Sequence, residues 1–138
     1  MKNFLDINKV PKDCLKSIIK EARSLKDRRA SLTHGALDDP ISLENRIVGL
    51  VFEKPSTRTR ISFDVGIRQM GGQSMILATN DLQLGNGENM SDTAKILSLY
   101  LDMVLVRTSD ELKLLEFVKH TTVPVINGLT NQSHPCQV

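Results

Sequence analysis

Along this chain the apolar positions change their period several times. Leu15, Ile18, Ile19, Ala22 and Leu25 recur at helical spacing, and Pro11 suits a first turn, so a helix is predicted through to about Arg29. Gly35, Asp38-Asp39-Pro40 and Ser42 mark residues 31–45 as a loop. Residues 47–52 then form a nearly unbroken apolar run that reads as a buried strand. Ile61, Phe63, Val65 and Ile67 follow in a neighbourhood that suits a helix over 57–70, ended by Gly71-Gly72.

The alternation continues. Residues 74–78 predict a second strand, followed by a polar, glycine-bearing stretch from Thr79 to Asn89 that is long for a plain connection. Ser91 suits the cap of a helix carrying Asp92 in its first turn and Ala94, Ile96, Leu97, Tyr100 and Leu101 on its apolar side. Met103 to Val106 is a third strand, ending at Arg107. Thr108-Ser109-Asp110-Glu111 fits a capping box for a helix with Leu112, Leu115 and Val118 on its apolar side. Val123 to Ile126 is the fourth strand. Apolar strands separated by helices predict an α/β fold: one three-layer domain with a central, mostly parallel sheet of about four strands.

Composition narrows the class. A chain of 138 residues, 40% hydrophobic and 25% charged, suits one ordinary globular domain. A net charge of +2 with no Trp and one Tyr argues against a nucleic-acid partner. No apolar run approaches a membrane span, and the N-terminus resembles neither a signal peptide nor a transit sequence, so a cytoplasmic protein is expected. Cys14 and Cys136 lack metal-like spacing; free thiols are the expectation and a bridge the alternative.

The chemistry concentrates where the first strand hands over to its helix, in Phe52-Glu53-Lys54-Pro55-Ser56-Thr57-Arg58-Thr59-Arg60. The first turn of a helix offers unpaired N–H groups and the positive end of the macrodipole. Ser56, Thr57 and Thr59 add hydroxyl donors, and Arg58 and Arg60 add forked guanidinium donors that match phosphate oxygens. Ser and Thr here could equally be plain caps. Cations at the positive end of a dipole gain nothing structurally, however, so anion binding is the better reading. The stretch lacks the glycine spacing of a Walker A loop. Gln83, Arg107, His134 and Gln137 follow later strands and so fall at the same end of a parallel sheet, where ligands bind. Taken singly, Arg107 reads as a solvated strand end, His134 as a turn residue, and Gln83 and Gln137 as loop amides.

The stretch 52–60, followed by Ser62-Phe63, closely resembles the aspartate/ornithine carbamoyltransferase family. Asp92-Thr93-Ala94 before Asp102 and Arg107, then Asn127-Gly128-Leu129-Thr130 and His134-Pro135-Cys136-Gln137, resemble further family segments in the same order. The likeness spans the chain and leans to the ornithine branch, on the Asn-Gly-Leu-Thr segment and Cys136. Leu84 to Asn89 has no lysine, unlike the aspartate branch, and reads Glu88-Asn89 where ornithine enzymes usually have Glu-Ser.

The resemblance implies that Ser56, Thr57, Arg58 and Thr59 hold the phosphate of carbamoyl phosphate. Arg107 and His134, with Thr59, would meet the carbonyl oxygen as the catalytic donors, and Gln137 the carbamoyl amino group. Gln83 would reach a neighbouring subunit's site in a homotrimer. Arg60 would serve as a ligand or in a structural ion pair. The implied reaction carries the carbamoyl group to the ornithine δ-amine, giving citrulline and phosphate in arginine metabolism, with no cofactor, metal or nucleophilic side chain. The family's amino-acid-binding domain and its ornithine-holding segments are not found in residues 1–138. The chain is therefore expected to be the carbamoyl-phosphate-binding half, binding its ligand weakly and turning over little by itself. A stand-alone anion-binding or interaction domain remains the alternative from another class, and aspartate or putrescine the alternative acceptors.

Overall fold

The computed structural model describes residues 2–78 and 89–137. A helix α1 (Lys12–Arg28) precedes four strands, β1 (Ile47–Phe52), β2 (Gln73–Ala78), β3 (Met103–Arg107) and β4 (Val125–Leu129), with α2 (Thr57–Gln69), α3 (Met90–Tyr100) and α4 (Glu111–His120) between them. The strands form one parallel sheet in the order β2-β1-β3-β4. The α/β expectation holds.

Side-chain alternation along the strands builds two cores. Val48, Leu50 and Phe52 pack with Leu105 and with Ile67 of α2. Val51, Val104 and Val106 point the other way, onto Ala94 and Leu97 of α3 and Leu114 and Phe117 of α4. Both faces of the central strands are thus covered, which is why they read as unbroken apolar runs. Phe117 has no exposed surface; truncating such a ring to Ala costs about 3–5 kcal/mol. At the far end of the sheet Asp102 pins the start of β1. Its carboxylate accepts from Ile47 N–H at 2.9 Å and Arg46 Nη1 at 2.8 Å. These bonds, the one from Ile47 foremost, hold it below the ordinary carboxylate value of 3.8. Gly71 (φ 81°) ends the α2 segment, and a Cβ there would lie 2.3 Å from Ile41 Cγ2.

Several local expectations are corrected. α3 is capped by Asn89, whose Oδ1 accepts from Asp92 N–H at 2.9 Å, and Ser91 instead donates to that same oxygen. The capping box does not form. Thr108 is buried and its hydroxyl donates to Glu53, so Asp110 becomes the cap of α4 and accepts from Leu112 N–H. On α4 the inward residues are Leu114 and Phe117, while Leu112 is 74% exposed and Leu115 also faces out. β4 begins at Val125, later than expected, and runs on through Asn127 and Gly128 to Leu129. α1 forms where the spacing put it, yet none of its residues is buried, and Ile18 and Ile19 are exposed. Cys14 and Cys136 are free thiols. Among the described residues no helix is long and apolar enough to cross a membrane.

Candidate functional site

The strand order places the site. From β1 the chain moves outward through α2 to β2, then returns past β1 through α3 to β3. β1 and β3 are therefore neighbours whose following helices lie on opposite faces, and the crevice beyond their carboxyl ends is where such sheets bind ligands. Phe52 pairs with Arg107 there, and Glu53 N–H donates to the Arg107 carbonyl at 2.9 Å. The Glu53 carboxylate receives the Thr108 hydroxyl and the Lys113 ammonium, tying the two strand ends together. Desolvation works to raise its pKa but is outweighed by those hydrogen bonds, so the carboxyl stays below its ordinary 4.5.

On the β1 side, Ser56 is extended (φ −153°, ψ 109°) and the chain turns helical at Thr57. The Ser56 hydroxyl makes no capping bond and the first turn of α2 has no acidic side chain. α3 and α4 differ, each having a capping side chain. The first N–H groups of α2 and the positive end of its dipole thus face the crevice end of the sheet without an internal anion.

On the β3 side, Arg107 reaches across. Its Nη1 donates to Thr59 Oγ1 at 3.2 Å and to the Gly128 carbonyl at 3.4 Å, while Nε is buried with no partner among the described residues. Thr59 is itself buried; by accepting from Arg107 it keeps its own hydroxyl proton for another acceptor.

His134 arrives on a tight turn after β4. Thr130 Oγ1 accepts from the N–H groups of Gln132 and Ser133, both at 3.2 Å, and donates to Glu111 Oε2 at 2.5 Å. His134 Nδ1 is buried without a partner among the described residues. Desolvation, helped by the Arg107 charge and opposed by a hydrogen bond with Gln137, holds the imidazole below its ordinary 6.5. Near neutral pH it is an uncharged ring that donates one N–H.

Arg58, Thr59, Phe63, His134, Cys136 and Gln137 line one cleft of about 240 Å³. Cys136 is exposed as a residue, but its Sγ lies 3.4 Å from the Asn127 carbonyl, and desolvation pushes the thiol up to about 11. It is a neutral donor rather than a nucleophile. Ser56 and Arg60 line a different cleft, of about 320 Å³, with Glu53 and Ile76. Thr57 is exposed on the first turn and lines neither. Of the residues singled out in the sequence, the structure brings together Arg58, Thr59, Arg107, His134 and Gln137. It sets Ser56, Thr57 and Arg60 to one side, and Gln83 lies outside the described residues. Arg60 makes no ion pair among the described residues and acts on Asp64 only as a distant charge. The Gly128 carbonyl that grips Arg107 was missed; its only sequence signal is the Asn-Gly step after an apolar strand.

Known proteins resemble the chain in sequence and fold. Residues 2–138 match the family described as aspartate/ornithine carbamoyltransferase, carbamoyl-P binding domain. The chain is 54% identical over 138 residues to an ornithine carbamoyltransferase of Ruegeria pomeroyi and 52% identical to one of Paracoccus denitrificans, covering 100% of this chain and 45% of each relative. It thus spans less than half the length of these curated relatives. The solved ornithine carbamoyltransferase of Burkholderia thailandensis superposes with a TM-score of 0.85 at 35% identity, covering 99% of this chain and 46% of that one. With the strand-end crevice, the helix start and the match along its whole length in agreement, the chain belongs to the aspartate/ornithine carbamoyltransferase family, in its carbamoyl-phosphate-binding domain.

Proposed function

We propose that this chain binds carbamoyl phosphate and serves the transfer of its carbamoyl group to the δ-amine of ornithine, giving citrulline and phosphate in arginine metabolism. The observation that carries the reading is the Arg107–Thr59 hydrogen bond. It joins a donor at the end of β3 to the anion-attracting start of α2, one cleft serving both ends of a carbamoyl phosphate.

The start of α2, with Ser56, Thr57, Arg58 and Thr59, holds the phosphate. Arg107 and His134 face the carbonyl oxygen, and Gln137 the carbamoyl amino group. When the neutral δ-amine attacks the carbamoyl carbon, charge builds on that oxygen, and fixed donors that meet it there act as an oxyanion hole. A neutral His134 suits this role, since it donates without adding a second charge beside Arg107. Arg58 and the dipole of α2 stabilise the phosphate as it leaves with growing charge.

Transfer requires both reactants to be held together. The acceptor would be held by the part of the longer relatives that residues 1–138 do not match, and residues 1–138 tested by themselves should bind carbamoyl phosphate and turn over little. The working enzyme is a cytoplasmic homotrimer. Ornithine is favoured over aspartate as acceptor because the curated relatives at 52–54% identity bear the ornithine name.

Isothermal titration of the chain with carbamoyl phosphate, with ATP as control, tests the reading. Saturable binding of carbamoyl phosphate with no tight ATP binding is expected. Tight ATP binding, or none of carbamoyl phosphate, would overturn it.

A further inference from the structure

Asn127, within Asn-Gly-Leu-Thr, is fully buried on β4. Its Oδ1 accepts from Leu129 N–H at 2.9 Å, and its Nδ2 donates to the carbonyls of Leu5 at 2.9 Å and Ser133 at 3.3 Å. Its main chain is engaged as well, the N–H with the Phe4 carbonyl and the carbonyl with Cys136 Sγ.

Two of these bonds act on the site. The Oδ1 bond spans Gly128, where the β3–β4 register slips: Val106 faces Asn127, Arg107 faces Leu129, and Gly128 is left over as a bulge. Leu129 takes φ 150°, a conformation that side chains rarely adopt, and the Asn127 oxygen holds its N–H there. The bulge directs the Gly128 carbonyl to Arg107 Nη1, the same nitrogen that reaches Thr59. It also closes tightly on Arg107, since a Cβ at Gly128 would lie 3.3 Å from Arg107 Cβ and 2.8 Å from Leu105 Cδ2. The Nδ2 bond holds Ser133, immediately before His134. One amide therefore touches the backbone that aims Arg107 and the backbone that delivers His134.

We infer that Asn127 is a positioning residue: it fixes the Arg107 guanidinium relative to the His134 imidazole, and so decides whether the cleft recognises the carbamoyl group in addition to the phosphate. This rests on the carbamoyl-phosphate reading above. A buried, satisfied amide that only stabilised the fold would change stability, or the affinity for every ligand alike. A positioning residue changes the preference between ligands that differ at one end.

The test is a parallel titration of wild type, Asn127→Asp and Asn127→Ser with carbamoyl phosphate and with inorganic phosphate. Asp keeps an acceptor for Leu129 N–H but turns an oxygen toward the Leu5 and Ser133 carbonyls. Ser is smaller and leaves room for water to satisfy the stranded groups, so it serves if Asp does not fold. The expected result is phosphate affinity within about twofold of wild type and a preference for carbamoyl phosphate reduced about tenfold, as for one lost donor. The His134 proton resonances should also move toward those of a ring in water. A wild-type preference retained by the folded variants would overturn the positioning role alone, as would an equal fall for both ligands. A wild type without any preference would overturn the carbamoyl-phosphate reading, and this inference with it.

Discussion

At one end of the cleft, a guanidinium and a hydroxyl come from Arg58 and Thr59 on the first turn of α2, with Ser56 and Thr57 just before them and outside the cleft. At the other, His134 and Gln137 come from a turn beyond β4 that Thr130 hydrogen-bonds, and Arg107, from the end of β3, reaches Thr59 beside the bulge at Gly128. The first end needs little more than a helix that begins where an extended Ser56 stops. The second needs the sheet register, the buried Asn127 and the crossing of Arg107 to Thr59. An anion site of the first kind needs only local sequence and would not distinguish one phosphate from another. On the proposed function, selectivity for the group attached to that phosphate would reside in the part assembled over long range.

Arg107→Ala should break the second end most severely. In a protein carrying this chain together with an acceptor-binding domain, single-turnover carbamoyl transfer should slow by about 10²–10³-fold, or about 2.7–4 kcal/mol, the range for one oxyanion-hole donor. A loss below tenfold would remove Arg107 from the reacting oxygen. Arg58→Ala strikes the first end. Calorimetry should show phosphate and carbamoyl phosphate both weakened by about 1.5–3 kcal/mol, as for a lost charged hydrogen-bond partner. Unchanged affinity in the folded variant would sink the cradle.

A smaller effect separates Ser56 from an ordinary cap. Asn89→Ala removes a made capping bond and should lower stability by about 1 kcal/mol in denaturant unfolding. Ser56→Ala, which removes no such bond, should change stability by less than about 0.5 kcal/mol while still weakening phosphate binding. Equal destabilisation by the two substitutions would make Ser56 a cap. The smallest effect is that of pH on His134. Because its folded-state pKa lies below the ordinary 6.5, the unfolded chain takes up the proton first, so stability should fall as pH drops below 6.5 and be unaffected by this ring above it. An NMR titration placing His134 at or above 6.5 would contradict the neutral donor.

How much of this was readable in the sequence follows the same division. The four strands and α2 were legible because each is a local apolar pattern. α4 was misread because Leu112 with Leu115 and Leu114 with Phe117 have the same spacing, and only packing against α3 selects the second pair. The caps at Asn89 and Asp110 were missed because Ser91 and Thr108 are equally good candidates by type. It is the tie of Thr108 to Glu53, distant in sequence, that decides the second case. The division of Ser56 and Arg60 from Arg58 and Thr59 depends on how α2 leaves β1, and the Arg107 grip on a register slip; neither has a local pattern.

The central claim, that one end of the cleft holds any phosphate and the other reads the carbamoyl group, is tested most directly by titrating Arg107→Ala with phosphate and with carbamoyl phosphate beside the wild type. The account predicts that the wild type prefers carbamoyl phosphate and that the variant binds both equally, at nearly the wild-type affinity for phosphate. A variant that keeps the preference, or loses phosphate binding as steeply as carbamoyl phosphate binding, would contradict it.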